Sequence, residues 1–205
     1  MALTHFPAGV RDAVEVVFRI DATLAEIAAD TSDPALGLIR LAWWREALEA
    51  LDEKPAPAEP RLQAIAETVL PLGVTGKALA QVEDGYAALL APDIDVKRAG
   101  AGGAHLFAVI ADLLGADDSM LDTAGRLAML ARVRGLFPDD PAPAARSLMR
   151  DLKGHSFPRA LRPLTLLARL AARDFLRTVP EPEATPGRAL AMLSHRLSGR
   201  VTGAN

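Results

Sequence analysis

From end to end, this chain spaces its apolar residues three and four apart, and breakers and capping residues stop each such run. That spacing gathers side chains on one face of a helix, whereas a strand would need strict alternation. Val10, Val14, Val17, Leu24 and Ala28 set the pattern in a first segment over about Pro7 to Asp30. In the second, Asp33 can cap and Pro34 suits the first helical position of a run to Leu51. A Pro-rich linker from Lys54 to Pro60 follows, then a short helix from about Arg61 to Leu70. Thr75 caps a segment containing Leu79, Val82, Tyr86, Leu89 and Leu90. Further helices are expected over Asp95–Leu114, from Ser119 and Asp122 (capping-box-like spacing) to Gly135, over Ala144–Lys153 and over Arg159–Arg177. After Pro180 to Pro182, Thr185 and Pro186 start a last helix that Gly199 ends. The expectation is an all-α, single-domain helical bundle of about nine helices over residues 1–205.

Composition agrees. Alanine occurs 40 times and leucine 31 times, against 18 valines and isoleucines together, which disfavours sheet. Three glycines among Gly100, Gly102 and Gly103 inside the Asp95 segment mark a break, a kink or a close approach of another backbone. No cysteine is present, which excludes disulfides, thiolate metal sites and cysteine nucleophiles. No apolar run is long enough to span a membrane, and the first residues lack the pattern of a secretory signal, so a cytoplasmic protein is expected.

The net charge of −3 hides an asymmetry: residues 1–100 carry 9 basic and 16 acidic side chains, residues 101–205 carry 14 and 10. Arg162, Arg169, Arg173 and Arg177 fall on one helical stripe, read as facing outward. They are a candidate surface for an anionic ligand or for peripheral contact with the inner face of a membrane. Nucleic acid is not expected, because the basic stretch lacks interleaved aromatics and the chain is acidic overall.

Asp21 is the most informative single residue. It falls near the apolar stripe of the first segment, where a carboxylate must be ion-paired, protonated, metal-bound or facing a wet cavity. An ion pair with an arginine of the next helix and a place lining a polar cavity are both open. The adjacent acidic pairs Glu83-Asp84, Asp117-Asp118 and Asp139-Asp140 point in different directions and are read as solvated. His105, beside Leu106 and Phe107, is read as a satisfied core residue. Both tryptophans, Trp43 and Trp44, are adjacent and must find cover on neighbouring faces; Arg40 stands four before Trp44, at stacking distance.

The stretch from Asp33 to Leu48, with Leu36-Gly37-Leu38-Ile39-Arg40-Leu41-Ala42-Trp43-Trp44-Arg45, resembles an element of the squalene/phytoene synthase family. Ala104-His105-Leu106-Phe107 through Leu113-Leu114-Gly115, and Gly187–Leu190 with Leu197–Arg200, resemble later segments of the same family. The resemblance implies an isoprenoid synthase fold around a central cavity. In active members, two Asp-rich motifs on facing helices hold Mg²⁺ ions that ionise prenyl diphosphates.

Here the place of the first motif holds only Asp21, and the place of the second, Gly125 to Gly135, has no carboxylate. The wording is then more similar to a divergent branch that includes the mitochondrial complex I assembly factor. That likeness implies a pseudoenzyme, with no cofactor, that binds a protein partner or an isoprenoid or lipid ligand. The alternative is a surviving Mg²⁺-dependent prenyltransferase with an altered site. Candidate cavity-lining residues are Asp21, Glu26, Arg40, Trp43, Trp44 and Arg45.

Overall fold

In the computed structural model, which describes residues 3–177, 179, 181–182 and 184–202, local signals start and stop the helices. Asp33 accepts a hydrogen bond from the Ala35 N–H at 2.9 Å with Pro34 at the first position, and Glu59 caps the next helix from the same kind of place. Thr75, Asp95 and Thr185 cap three more. Gly115 and Gly199 end two helices in the left-handed conformation that a Cβ disfavours. The elements are α1 (Arg11–Asp30), α2 (Pro34–Ala50), α3 (Pro60–Thr68), α4 (Gly76–Ala80), α5 (Val82–Ala87), α6 (Val96–Leu114), α7 (Leu121–Arg132), α8 (Ala142–Asp151), α9 (Arg162–Phe175) and α10 (Pro186–Ser198), linked by short 3-10 turns, with no strand among the described residues.

This is the expected all-α architecture, with boundaries adjusted. The segment after Thr75 divides at Gln81 into α4 and α5. The first segment begins as a 3-10 turn over Ala8–Val10 before α1. Ser119 does not cap α7: Asp118 accepts from the Met120 N–H instead, and its carboxylate also meets His155 Nε2 at 2.8 Å. Of the break expected from Pro180 to Pro182, Pro180 lies outside the described residues.

The glycine run resolves as close approach. Helix α6 continues through it and is pressed between two others. A Cβ at Gly85 of α5 would stand 2.7 Å from Gly102 Cα and 2.8 Å from the Ala99 carbonyl oxygen. On the other side, a Cβ at Gly103 would stand 2.5 Å from Met129 Cβ and nearer still to the Gly125 backbone of α7. Neither place admits a side chain. Around this hub, α1 packs against α2, α3, α5 and α6, while α9 lies on α7 and carries α10 outside it. One continuous apolar cluster runs from Phe6 to Val201.

Two readings of individual residues are corrected, those of Glu83 and His105. Glu83 is buried although Asp84 beside it is only half-buried, because neighbours on a helix point about 100° apart. Asp84 takes both Nε and Nη2 of Arg98. The buried histidine is His195, with Nε2 3.0 Å from Thr165 Oγ1 and Nδ1 3.0 Å from the Arg200 carbonyl oxygen, while His105 is half-buried. Burial holds the His195 imidazole below its usual range and so favours the neutral ring.

Candidate binding site

Asp21 comes to the core because it shares the inward face of α1 with Val14, Val17 and Leu24. It is 1% exposed. The Tyr86 hydroxyl, from α5, donates to Asp21 Oδ1 at 2.6 Å. Arg132 Nη1, from the last turn of α7, lies 2.6 Å from Asp21 Oδ2. Its contact is an ion pair by distance and not a well-aligned hydrogen bond. Burial pushes the Asp21 carboxyl above its ordinary range, opposed by the Arg132 charge and the Tyr86 hydrogen bond. The same burial, with the neighbouring Asp21 charge, raises the Tyr86 phenol well above its ordinary value. Tyr86 therefore stays a proton donor to Asp21.

Both readings left open for Asp21 meet here. It is ion-paired, though with an arginine of α7 and not of α2, and it also lines a cavity of about 310 Å³. The cavity lies among α1, α6, α7 and α9, with α10 at one edge. Phe18, Phe107 and Met129 supply apolar wall; Arg132, Asp174 and Arg188 supply further polar groups. Arg188 Nη1 donates to both Asp174 oxygens, at 2.7 and 3.0 Å. Each carboxylate at the cavity is thus matched by its own guanidinium, so the lining is polar at two points without net charge.

That donor set does not fit the Mg²⁺ cluster of active synthases. The ions would need several free carboxylates, and both available here are engaged by arginine. Among the described residues, no group of three or more His, Asp or Glu side chains could hold a metal ion. No chemical step through such an ion follows from these residues.

Of the six residues expected to line the cavity, Asp21 alone does so. Trp44 is 6% exposed and buried in the core, its ring edge-on to Trp43 at 5.1 Å. Trp43, Arg40 and Glu26 are exposed, and Arg45 Nη1 stands 3.9 Å from Glu83 Oε2. The reason is placement: α2 packs on α4 and α5, and so lies apart from the α6–α7–α9 side that encloses the cavity. Arg40 is not stacked on Trp44; among the described residues, the cation–π contact is Arg134 over Phe175, at 5.0 Å.

The four arginines of the stripe, three in α9 and Arg177 just after it, are turned toward the chain's own C-terminal segment. Arg162 donates to the Phe157, Arg196 and Leu197 carbonyls, and Arg169 to the Val201 carbonyl. Arg173 and Arg177 both reach Glu181, which, held by Arg173 and Thr185, titrates far down at about 2. The stripe read as outward is largely the seat of α10. Tyr86 and Arg132 were the functional-site residues least visible beforehand. The chain's one tyrosine, on an apolar helical face, was the available signal for the first.

No curated protein and no solved structure matches the chain. The squalene/phytoene synthase family matches residues 1–93, a stretch that holds Asp21, the whole tryptophan element and Tyr86. Residues 1–93, a little under half of the chain, are thus similar to the squalene/phytoene synthase family.

Proposed function

We propose that this is a squalene/phytoene synthase-like protein that has lost both Asp-rich diphosphate motifs and acts by binding, without catalysis. One observation carries the reading: the carboxylate at the place of the first motif is neutralised by Arg132, which comes from the place of the second. A guanidinium between the two helices occupies the coordination that a metal ion would need, and clearing it would strand a buried charge. A cavity with apolar walls and balanced charge suits a ligand that is mostly hydrocarbon. On this reading the chain stands near the divergent branch that includes the mitochondrial complex I assembly factor. Its partner is then a protein, or an isoprenoid or lipid ligand. The test is incubation with farnesyl or geranylgeranyl diphosphate and Mg²⁺, with product analysis against a heat-killed control. No turnover is expected. Mg²⁺-dependent product formation that Asp21→Asn abolishes would establish the alternative, an active prenyltransferase.

Peripheral membrane contact is a second reading with its own observation. Helix α10 exposes Leu190, Leu193 and Leu197, and beside it runs a groove of about 720 Å³ whose charged lining, among the described residues, is basic, with Arg159, Arg162 and Arg196 and no carboxylate. Among the described residues, no helix is long and apolar enough to cross a membrane. Flotation with phosphatidylglycerol vesicles, lost in Leu193→Asp/Leu197→Asp and absent with phosphatidylcholine alone, would support surface attachment there.

A further inference from the structure

The groove beside α10 keeps its charge at one end. The 3-10 turn Arg159–Leu161 leads into α9, and α9 runs antiparallel to α10. Arg162 Nη1 meets the Arg196 and Leu197 carbonyls at one end of the pair, and Asp174 meets Arg188 at the other. Arg159, Arg162 and Arg196 therefore stand together at the first end of the groove. One and two turns further along, its lining is Leu166, Ala189, Met192 and Leu193, with no charged group among the described residues. From Arg196 back to Ala189 this gives about 10 Å of apolar wall. No carboxylate follows nearby in the chain either: residues 158–173 and 184–205 carry seven arginines and no Asp or Glu. Arg162 spends Nε and Nη1 on main-chain carbonyls. Arg159 is exposed and takes part in no ion pair among the described residues, and the Arg196 side chain has only His5 Nδ1, at a long 3.4 Å.

Guanidinium groups with donors to spare, opening onto an apolar wall, are complementary to an amphiphile with an anionic head. Arginine pairs with phosphate oxygens through parallel N–H groups, and the two free arginines face no competing carboxylate in the groove. A volume of about 720 Å³ is within the range of sites that hold one small molecule. Leu193 and Leu197 line the groove and are 55% and 74% exposed, and Leu190 continues their row at 67%. The groove thus opens on an apolar face, which favours a ligand that arrives from a membrane surface over one that arrives from water. We propose that the groove holds one anionic phospholipid of a bilayer, its phosphate between Arg159 and Arg196 and one acyl chain along Leu166, Ala189 and Met192. The inference rests on the surface-attachment reading and adds to it a single bound lipid of defined charge.

Dihexanoyl phosphatidylglycerol, kept below its micelle threshold, is a soluble probe that calorimetric titration of the full chain can read. One molecule should bind per chain, and phosphatidylcholine with the same acyl chains about tenfold more weakly. Arg159→Gln and Arg196→Gln should each weaken binding about tenfold, the scale of one charge-assisted hydrogen bond. Ala189→Glu, which sets a carboxylate on the apolar wall, should weaken it at least as much. Arg200→Gln removes an exposed arginine outside the groove and should stay within about twofold, because a solvent-screened charge contributes little. All four positions are exposed, so circular dichroism should be unchanged. Phosphatidylglycerol vesicles should float the original chain and Arg200→Gln, but not Arg159→Gln/Arg196→Gln. Flotation without saturable binding of the monomeric probe, or an equal loss in Arg200→Gln, leaves surface attachment standing as a general attraction and overturns the lipid site. Saturable probe binding without flotation gives the groove to a free amphiphile and overturns the bilayer as its source. A chain that binds neither probe nor vesicles overturns this proposal and the attachment reading together.

Discussion

Replacing Arg132 by methionine keeps much of the apolar stem of the side chain while removing the charge that faces Asp21. Asp21 is 1% exposed, and its remaining protein partner would be the Tyr86 hydroxyl. Removing one member of a fully buried ion pair costs about 3–5 kcal/mol, because the other charge is stranded. The Arg132 side chain is 40% exposed, so water screens the pair and reaches part of the vacated space. That screening lowers the expected loss to about 2–3 kcal/mol. For a chain of 205 residues it corresponds to a fall in Tm of about 5–10 °C. The dependence on pH has a definite sign. The Asp21 pKa is raised in the folded chain, so the stability linked to its protonation is complete below the unfolded carboxylate value and is lost as pH rises through the folded value. Arg132 lowers that folded value; its removal therefore deepens the loss at neutral pH and leaves little at acid pH. Urea unfolding at a series of pH values should show the deficit of Arg132→Met shrinking as pH falls into the carboxylate range. The double variant Asp21→Asn/Arg132→Met should recover most of it at pH 7. A single variant within about 0.5 kcal/mol of the original at neutral pH would refute the ion-pair account, as would a deficit that ignores pH.

Further outcomes follow from other contacts. Gly103→Ala should destabilise by about 2–4 kcal/mol, since its methyl meets the Gly125 backbone, whereas Gly100→Ala should stabilise by about 0.5–1 kcal/mol, its methyl meeting only Arg126 and Leu130 at ordinary distances; thermal unfolding of the pair checks both. Tyr86→Phe deletes a 2.6 Å hydrogen bond to a buried carboxylate and should cost about 1.5–3 kcal/mol in chemical denaturation. The pKa of Glu181 is depressed to about 2, so what it contributes is present above the ordinary carboxylate value and lost as pH falls from there toward 2. The Tm difference between the original chain and Glu181→Gln should therefore be present at pH 7 and vanish near pH 2.

Helices were legible because their signals are local. Asp33 with Pro34, Thr75 and Thr185 each announce a start through a side chain and a backbone N–H two or three residues away. Asp21 was legible as a misfit, a carboxylate in an apolar series. Its partners were not, because Tyr86 lies 65 positions away and Arg132 more than 100, and periodicity says nothing about which helix faces which. For the same reason Trp43 and Arg40 were expected at the cavity: the tryptophan element is distinctive as wording, but only the packing of α2 on α4 and α5 turns Trp43 outward. The arginines from Arg162 to Arg177 were read as one outward stripe. Their direction depended on α10, whose position no spacing within α9 could reveal.

That arrangement has a consequence for how the last helix can change. Arg162 and Arg169 grip α10 and the residues after it by main-chain carbonyl oxygens, at Arg196, Leu197 and Val201. Every residue type has a carbonyl, so this grip does not depend on which side chains the segment displays. The outward positions of α10, Leu190, Leu193 and Leu197 among them, are thereby released from the work of holding the helix in place. They can be rewritten for a new surface property while the backbone stays docked, which makes the last helix a replaceable face on a fixed mount.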